Sequence, residues 1–163
     1  MKSSELFDSV AVANGFRESG AFVMQQTRTP PTILVVEDYA DSRQMLKLLL
    51  ETLNYEVLTA ANGREALSVA ANNHIDLILT DFDLPDMTGP TMVRYLRRRG
   101  NHSATVPIVM LTAFEGYHYR KLAKQAGCDA FFVKPPDFEF LKRTVDCLLQ
   151  EGQAKRDSIA RVW

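Results

Sequence analysis

Short apolar runs rich in β-branched residues alternate along this chain with segments whose apolar residues are spaced for a helix, and that alternation leaves few folds open. The runs at 33–36, 75–80, 106–111 and 130–133 read as buried strands, with 55–59 as a weaker fifth. Near-continuous apolarity is the pattern of strands covered on both faces of a parallel sheet. Between them, apolar stripes lie at Leu46, Leu49, Leu50 and Leu53, at Ala66, Leu67 and Ala70, and at Val93 and Leu96. Two more lie at Tyr119, Leu122, Ala123 and Ala126, and at Phe138, Leu141, Val145 and Leu148. Each stripe would face a core. Five strand-helix repeats imply right-handed crossovers and a doubly wound α/β sheet.

Turn residues support these boundaries. Asn62-Gly63 precedes the second helical segment, Gly100 and Gly127 follow the third and fourth, and Pro135-Pro136 precedes the fifth. The expected organisation is an N-terminal extension over 1–30, one domain over 31–151 and a polar tail over 152–163. Within the extension, Leu6, Phe7, Val10 and Ala11 would form an amphipathic turn or two, and Met24 offers a second translation start. Cys128 and Cys147 form no metal-binding pattern, and no run has the roughly 18 apolar residues of a membrane span. The formal net charge of −1 points neither to nucleic acid nor to a membrane surface. A cytoplasmic protein with free thiols is expected.

Loops leaving the carboxyl ends of strands in such a sheet converge on one edge. Glu37 and Asp38 follow the first run, Asp81 the third, Thr112 the fourth and Lys134 the fifth. A lone acidic residue there often just caps the next helix, but five polar groups at matching positions form a set. Three convergent carboxylates repel one another unless a cation joins them, and hard oxygen donors suit Mg2+. Lys134 adds a fixed positive charge and Thr112 a hydroxyl, which together describe a phosphoryl pocket. The central carboxylate, Asp81, is the natural acceptor.

These residues resemble the response-regulator receiver domain of two-component signalling. The resemblance rests on Glu37-Asp38, Asp81, Thr112-Ala113 and Lys134-Pro135, on Asp81-Phe-Asp-Leu-Pro-Asp-Met-Thr-Gly89, on Asn62-Gly-Arg-Glu-Ala-Leu67 and on Ala126-Gly-Cys-Asp-Ala-Phe-Phe-Val-Lys-Pro135. It covers 31–151 and implies a flavodoxin-like fold with a five-stranded parallel sheet ordered 2-1-3-4-5. It further implies that Glu37, Asp38, Asp81 and the backbone carbonyl of Asp83 hold Mg2+, and that Lys134 pairs with a phosphoryl group on Asp81. Thr112 would move toward that group and let the aromatic residue three before the lysine, Phe131, turn inward. The surface of the fourth helix, fifth strand and fifth helix would then change its partner affinity, with Tyr117, Lys121, Lys124 and Phe140 on it.

The implied partners are a histidine kinase or a histidine phosphotransfer protein upstream and an unknown protein downstream. The molecule would act as a single-domain regulator, not a classical enzyme, and as a monomer or a phosphorylation-dependent dimer. Where the family often has tyrosine, Phe131 lacks a hydroxyl to hold the ring outside and should favour the inward state. Asp83 and Phe114 flank the chemistry: Phe114 would exclude water, whereas Asp83 would repel the phosphoryl oxygens or orient a water, and a fairly long-lived phosphoform is expected.

Alternatives are a receiver-like scaffold that works without phosphorylation, and a haloacid-dehalogenase-type phosphatase suggested by Asp81-Phe-Asp83. The phosphatase would need a further acidic metal motif after Lys134, where only Asp137, Glu139, Asp146, Glu151 and Asp157 occur. Arg97, Arg98 and Arg99 are the most basic run, but cations suit a helix C-terminus and no DNA binding is expected. His74, His102 and His118 are scattered and read as structural or surface residues.

Overall fold

The structure, a computed structural model, describes residues 29–151 except Asn101. Both the expected amphipathic turns of the N-terminal segment and the 152–163 tail lie outside the described residues. Five strands, β1 (Thr32–Val36), β2 (Glu56–Ala60), β3 (Leu77–Asp81), β4 (Ile108–Thr112) and β5 (Ala130–Val133), alternate with five helices. The helices are α1 (Ala40–Thr52), α2 (Gly63–Asn72), α3 (Gly89–Arg98), α4 (Tyr117–Ala126) and α5 (Phe138–Glu151). All neighbouring strands pair in parallel, in the order β2-β1-β3-β4-β5. The expected flavodoxin-like arrangement is the one adopted.

The period of two along each strand divides the core. Ile33, Val35, Leu77, Leu79, Val109 and Leu111 point to the side covered by α1 and α5, where they meet Leu46, Leu50, Leu141, Val145 and Leu148. Leu34, Val36, Ile78, Ile108 and Met110 point to the side of α2, α3 and α4, and meet Ala66, Ala70, Met92, Val93, Leu96 and Ala123. The fainter second strand is an edge strand, starting at exposed Glu56 and fully buried only at Ala60.

Two strands begin later and end later than the apolar runs suggest. Ile75 and Val106 are buried at 1 % and 2 % exposure, yet the ladders start at Leu77 and Ile108. Apolarity reports burial, whereas pairing needs backbone geometry, and the two part company at strand ends. At the other end the ladders run on to Asp81, paired with Leu111, and to Thr112, paired with Val133. Both polar residues are thus the last residues of strands, held by the sheet itself.

Local chemistry sets the helix starts. Asn62 caps α2 by accepting from the Glu65 N–H at 2.9 Å, while the Glu65 carboxylate accepts from Ala61 N–H at 2.7 Å. Thr88 caps α3, whose early Pro90 lacks an N–H that would go unpaired there anyway. Asp137 accepts from Phe140 N–H at 2.9 Å and opens α5. Gly127 closes α4 in the left-handed region, φ 103°.

The arginine run is divided between roles. The Arg97 guanidinium donates to the carbonyls of Gly127 (2.8 Å), Val106 (2.7 Å) and Ala104 (3.2 Å) and pairs with Asp129 at 3.2 Å. Arg99 donates to the Leu67 carbonyl at 2.8 Å. Arg97 therefore ties the end of α3 to the lower ends of β4 and β5 and is unavailable to an anionic partner. Arg97→Ala would strand three carbonyls and Asp129, so we expect it to destabilise the fold by about 2–4 kcal/mol, read as a lower urea midpoint with unchanged slope.

Candidate functional site

The strand order reverses direction at β1, which lies between β2 and β3. The chain leaves β1 for α1 on one face and leaves β3 for α3 on the other, so a crevice opens at their carboxyl ends. Glu37 and Asp38, directly after β1, and Asp81, ending β3, occupy it. One ligand oxygen from each of Glu37, Asp38 and Asp81 falls within 4.8 Å of the others, and this is the single such group among the described residues.

Lys134, one residue past β5, reaches across this crevice. Its Nζ donates to Glu37 Oε2 and to Asp81 Oδ2, both at 2.6 Å. Desolvation works against the ammonium charge, but the hydrogen bonds and charges of Asp81 and Glu37 outweigh it and hold Lys134 above the usual lysine range. Asp81 Oδ1 accepts from Phe82 N–H at 2.5 Å and from Asp83 N–H at 3.4 Å. Glu37, 3 % exposed, accepts at Oε1 from Tyr39 N–H at 3.3 Å. Three carboxylates facing a single ammonium leave an excess of negative charge on hard oxygen donors, a set that fits a divalent cation such as Mg2+.

Thr112 is fully buried at the end of β4, and its Oγ1 accepts from Phe114 N–H at 3.0 Å. The Lys134 N–H donates to the Thr112 carbonyl at 2.7 Å, which joins the lysine and hydroxyl positions through backbone. Phe114 stacks on Tyr119 of α4, centroids 4.8 Å apart, and its ring edge meets Phe82 at 6.2 Å. Tyr119 also meets Phe82 edge to face at 5.3 Å. Phe82, Phe114 and Tyr119 thus form one aromatic trio, whereas Asp83 is exposed, in a loop tied by its bridge to Thr88.

Phe131 is inward in this structure, 3 % exposed, with the Arg120 guanidinium 5.2 Å from its ring centroid. On the adjoining surface Tyr117 is 79 % exposed and Phe140 46 %, and Lys121 and Lys124 are exposed as well. Of the acidic residues that follow Lys134, Asp137 caps α5, and Asp146 binds the Tyr55 hydroxyl and Lys142. Neither Asp137 nor Asp146 belongs to the group of carboxylates at the crevice.

Four positions that matter were not singled out from the sequence. Arg43 donates to the carbonyls of Glu37 (2.7 Å) and Asp38 (3.1 Å) and so fixes the acidic turn from α1. At Gly89 a Cβ would lie 2.3 Å from the Asp81 carbonyl oxygen, so only glycine lets α3 start against the end of β3. Asp86 accepts from Gly63 and Arg64 N–H at 2.8 and 2.9 Å and ties the loop after Asp83 to the start of α2. Desolvation of Asp86 is outweighed by these N–H groups and by the Arg64 charge, which hold its carboxyl below the usual range. Tyr119 read only as part of a core stripe. Asp86 and Gly89 lie inside the Asp81–Gly89 stretch without a role legible there, and Arg43 and Tyr119 have no local signal, because each partner is supplied by another element.

The model of the response regulator receiver domain matches residues 33–146. The chain belongs to that family. It is similar to the chemotaxis response regulator CheY4 of Vibrio cholerae, with 36 % identity and a TM-score of 0.69 over 74 % of this chain and 100 % of that one. It is likewise similar to the response regulator TrrA of Thermotoga maritima, solved in complex with Mg(2+)-BeF, at 35 % identity and TM-score 0.65 over 73 % and 99 %. Among curated proteins, the polar-differentiation response regulator DivK of Brucella anthropi is 31 % identical over 65 % of this chain and 85 % of its own length. The sensor histidine kinase RcsC of Escherichia coli is 32 % identical over 77 % of this chain. The chain spans 13 % of that kinase and 41 % of the probable transcriptional regulator ycf27 of Porphyridium aerugineum. It is a receiver domain of two-component signalling, and no described helix is long and apolar enough to cross a membrane.

A group whose pKa is raised on folding contributes stability that is complete below its unfolded value and disappears as pH rises through its folded value. For Lys134 that window opens above the ordinary lysine value of 10.5. We expect the stability difference between the parent and Lys134→Met to stay flat from about pH 7 to 9 and to shrink only at higher pH, as measured by urea unfolding across the series.

Proposed function

We propose that this receiver accepts a phosphoryl group on Asp81 from the phosphohistidine of a histidine kinase or histidine phosphotransfer protein, and thereby switches its α4–β5–α5 surface. The observation that carries this reading is the double contact of Lys134 with Glu37 and Asp81 at the crevice, with Asp38 close by. The Mg(2+)-BeF complex of TrrA supports it by likeness.

In this reading Glu37, Asp38, Asp81 and the backbone carbonyl of Asp83 hold Mg2+, which supplies positive charge to the phosphoryl oxygens. Asp81 Oδ2, now paired with Lys134, forms the new bond to phosphorus while the bond from phosphorus to the donor nitrogen breaks, and the electron pair returns to the imidazole. Lys134 exchanges Asp81 for a phosphoryl oxygen without leaving the crevice. The buried Thr112 hydroxyl donates to another such oxygen. Its shift toward that oxygen draws it away from the Phe114 N–H, which releases the turn between β4 and α4 from its present position.

That release reaches the surface by two routes: Phe114 is stacked on Tyr119 of α4, and Phe131 is already inward beneath Arg120. A phenylalanine at 131 has no hydroxyl to hold the ring in water, so the unphosphorylated molecule rests nearer the switched state. Output passes to a downstream protein that reads Tyr117, Lys121, Lys124 and Phe140, in the cytoplasm and without direct DNA contact. The receiver is monomeric, or dimerises on phosphorylation.

Incubation with Mg2+ and a small acyl phosphate should add one phosphoryl group to the parent, seen by intact mass, and none to Asp81→Asn. An unmodified parent, or an equal gain in the variant, contradicts the assignment. The apolar Phe114 ring should keep water from the phosphoryl group, so Phe114→Glu is expected to speed phosphate loss about tenfold or more, followed by mass against time. An unchanged rate would remove Phe114 from the account.

A further inference from the structure

Two of the three carboxylates at the crevice are held by their side chains. Glu37 accepts from Lys134 Nζ and from Tyr39 N–H, and Asp81 accepts from Lys134 Nζ and from Phe82 N–H. The Asp38 side chain is exposed, and among the described residues it accepts no hydrogen bond. Even so, one of its oxygens lies within 4.8 Å of ligand oxygens of the other two. Its aim therefore comes from the backbone that carries it.

That backbone is gripped from α1. Arg43 Nη1 donates to the Glu37 carbonyl at 2.7 Å and to the Asp38 carbonyl at 3.1 Å. The first carbonyl belongs to the peptide unit before the Asp38 Cα, the second to the unit after it. Peptide units are planar, so holding both restricts φ and ψ of Asp38, and with them the direction of its Cα–Cβ bond. The flanking backbone is anchored too: Glu37 N–H donates to the Ala60 carbonyl of β2 at 3.1 Å, and Arg43 N–H to the Tyr39 carbonyl at 2.9 Å. Leu46 and Leu50 fix α1 to the sheet, so the guanidinium is presented from a packed element.

We propose that Arg43 is a positioning residue for the divalent cation, aiming the Asp38 carboxylate at the point where Glu37 and Asp81 converge and so setting the affinity for Mg2+. This rests on the reading of the crevice as a Mg2+ site. Lys134 takes up one oxygen each of Glu37 and Asp81, whereas Arg43 binds carbonyls alone. It holds the turn without competing with the ion for carboxylate oxygens. Mg2+ demands near-ideal octahedral ligands, whereas Ca2+ accepts irregular sets, so the loss of Arg43 should fall harder on Mg2+.

The test is calorimetric titration of the parent, Arg43→Met and Arg43→Lys with Mg2+ and separately with Ca2+, in the absence of a phosphoryl donor. Each variant is first compared with the parent by urea unfolding, and Arg43→Ala replaces Arg43→Met if the latter does not fold. Removal of a positive charge near a cation site would by Coulomb attraction alone tighten binding, so the sign separates the two effects. We expect Arg43→Met to bind Mg2+ about tenfold or more weakly than the parent, with a smaller loss for Ca2+ and with Arg43→Lys in between. Unchanged or tighter Mg2+ binding in Arg43→Met, or an equal loss for both ions, overturns the role of Arg43. A parent that shows no saturable Mg2+ binding overturns the reading of the crevice itself, and this proposal with it.

Discussion

The pairing of Lys134 with Glu37 and Asp81 is the interaction on which the working end of this molecule depends. Three carboxylates brought to one crevice repel one another, and the single ammonium reaching across from β5 makes their proximity tolerable. The ion pair spans the sheet, from the turn after β1 to the turn after β5, and so requires every strand between them to be in register. The core supplies that register, since a one-residue slip would turn each buried face to the other side.

Around this charge centre the remaining contacts are positional. Arg43 holds the acidic turn by its carbonyls, Gly89 lets α3 begin against the Asp81 carbonyl, and Asp86 ties the loop after Asp83 to α2. On the β4 side the Thr112 hydroxyl is engaged by Phe114 N–H, and the Phe114 ring leans on Tyr119. One hydrogen bond and one stacked ring pair thus join the end of β4 to α4. At the amino-terminal end of the sheet, Arg97 and the stacked rings of His74 and His102 do comparable joining work away from the crevice.

Most of the site was legible in the residues themselves. Polar groups at the ends of apolar runs identified Glu37, Asp38, Asp81, Thr112 and Lys134, because a parallel sheet must bring the ends of its strands to one edge. The edge character of β2 showed in its mixed polarity, whereas the true starts of β3 and β4 did not show, because Ile75 and Val106 are as apolar as the paired residues that follow. The three arginines looked alike in sequence and proved different: Arg97 is turned into a ring of carbonyls, and Arg98 is exposed. His74 and His102 looked unrelated because nothing in their spacing reports that two loops meet.

By itself, then, the amino-acid sequence determined the repeating strand-helix pattern, the two apolar faces of the sheet and the chemical types gathered at its carboxyl edge. These follow from periodicity and from the order of residues along the chain, which are local properties. Only the tertiary structure decided which carboxylate oxygens Lys134 binds, that Phe131 lies inward under Arg120, and that Phe114 stacks on Tyr119. The lysine contact joins residues 37 and 134, and even the nearer ring contacts join a loop to a helix or a helix to a strand. Their geometry depends on how helices settle on the sheet, and packing at that level has no periodic signature in the chain.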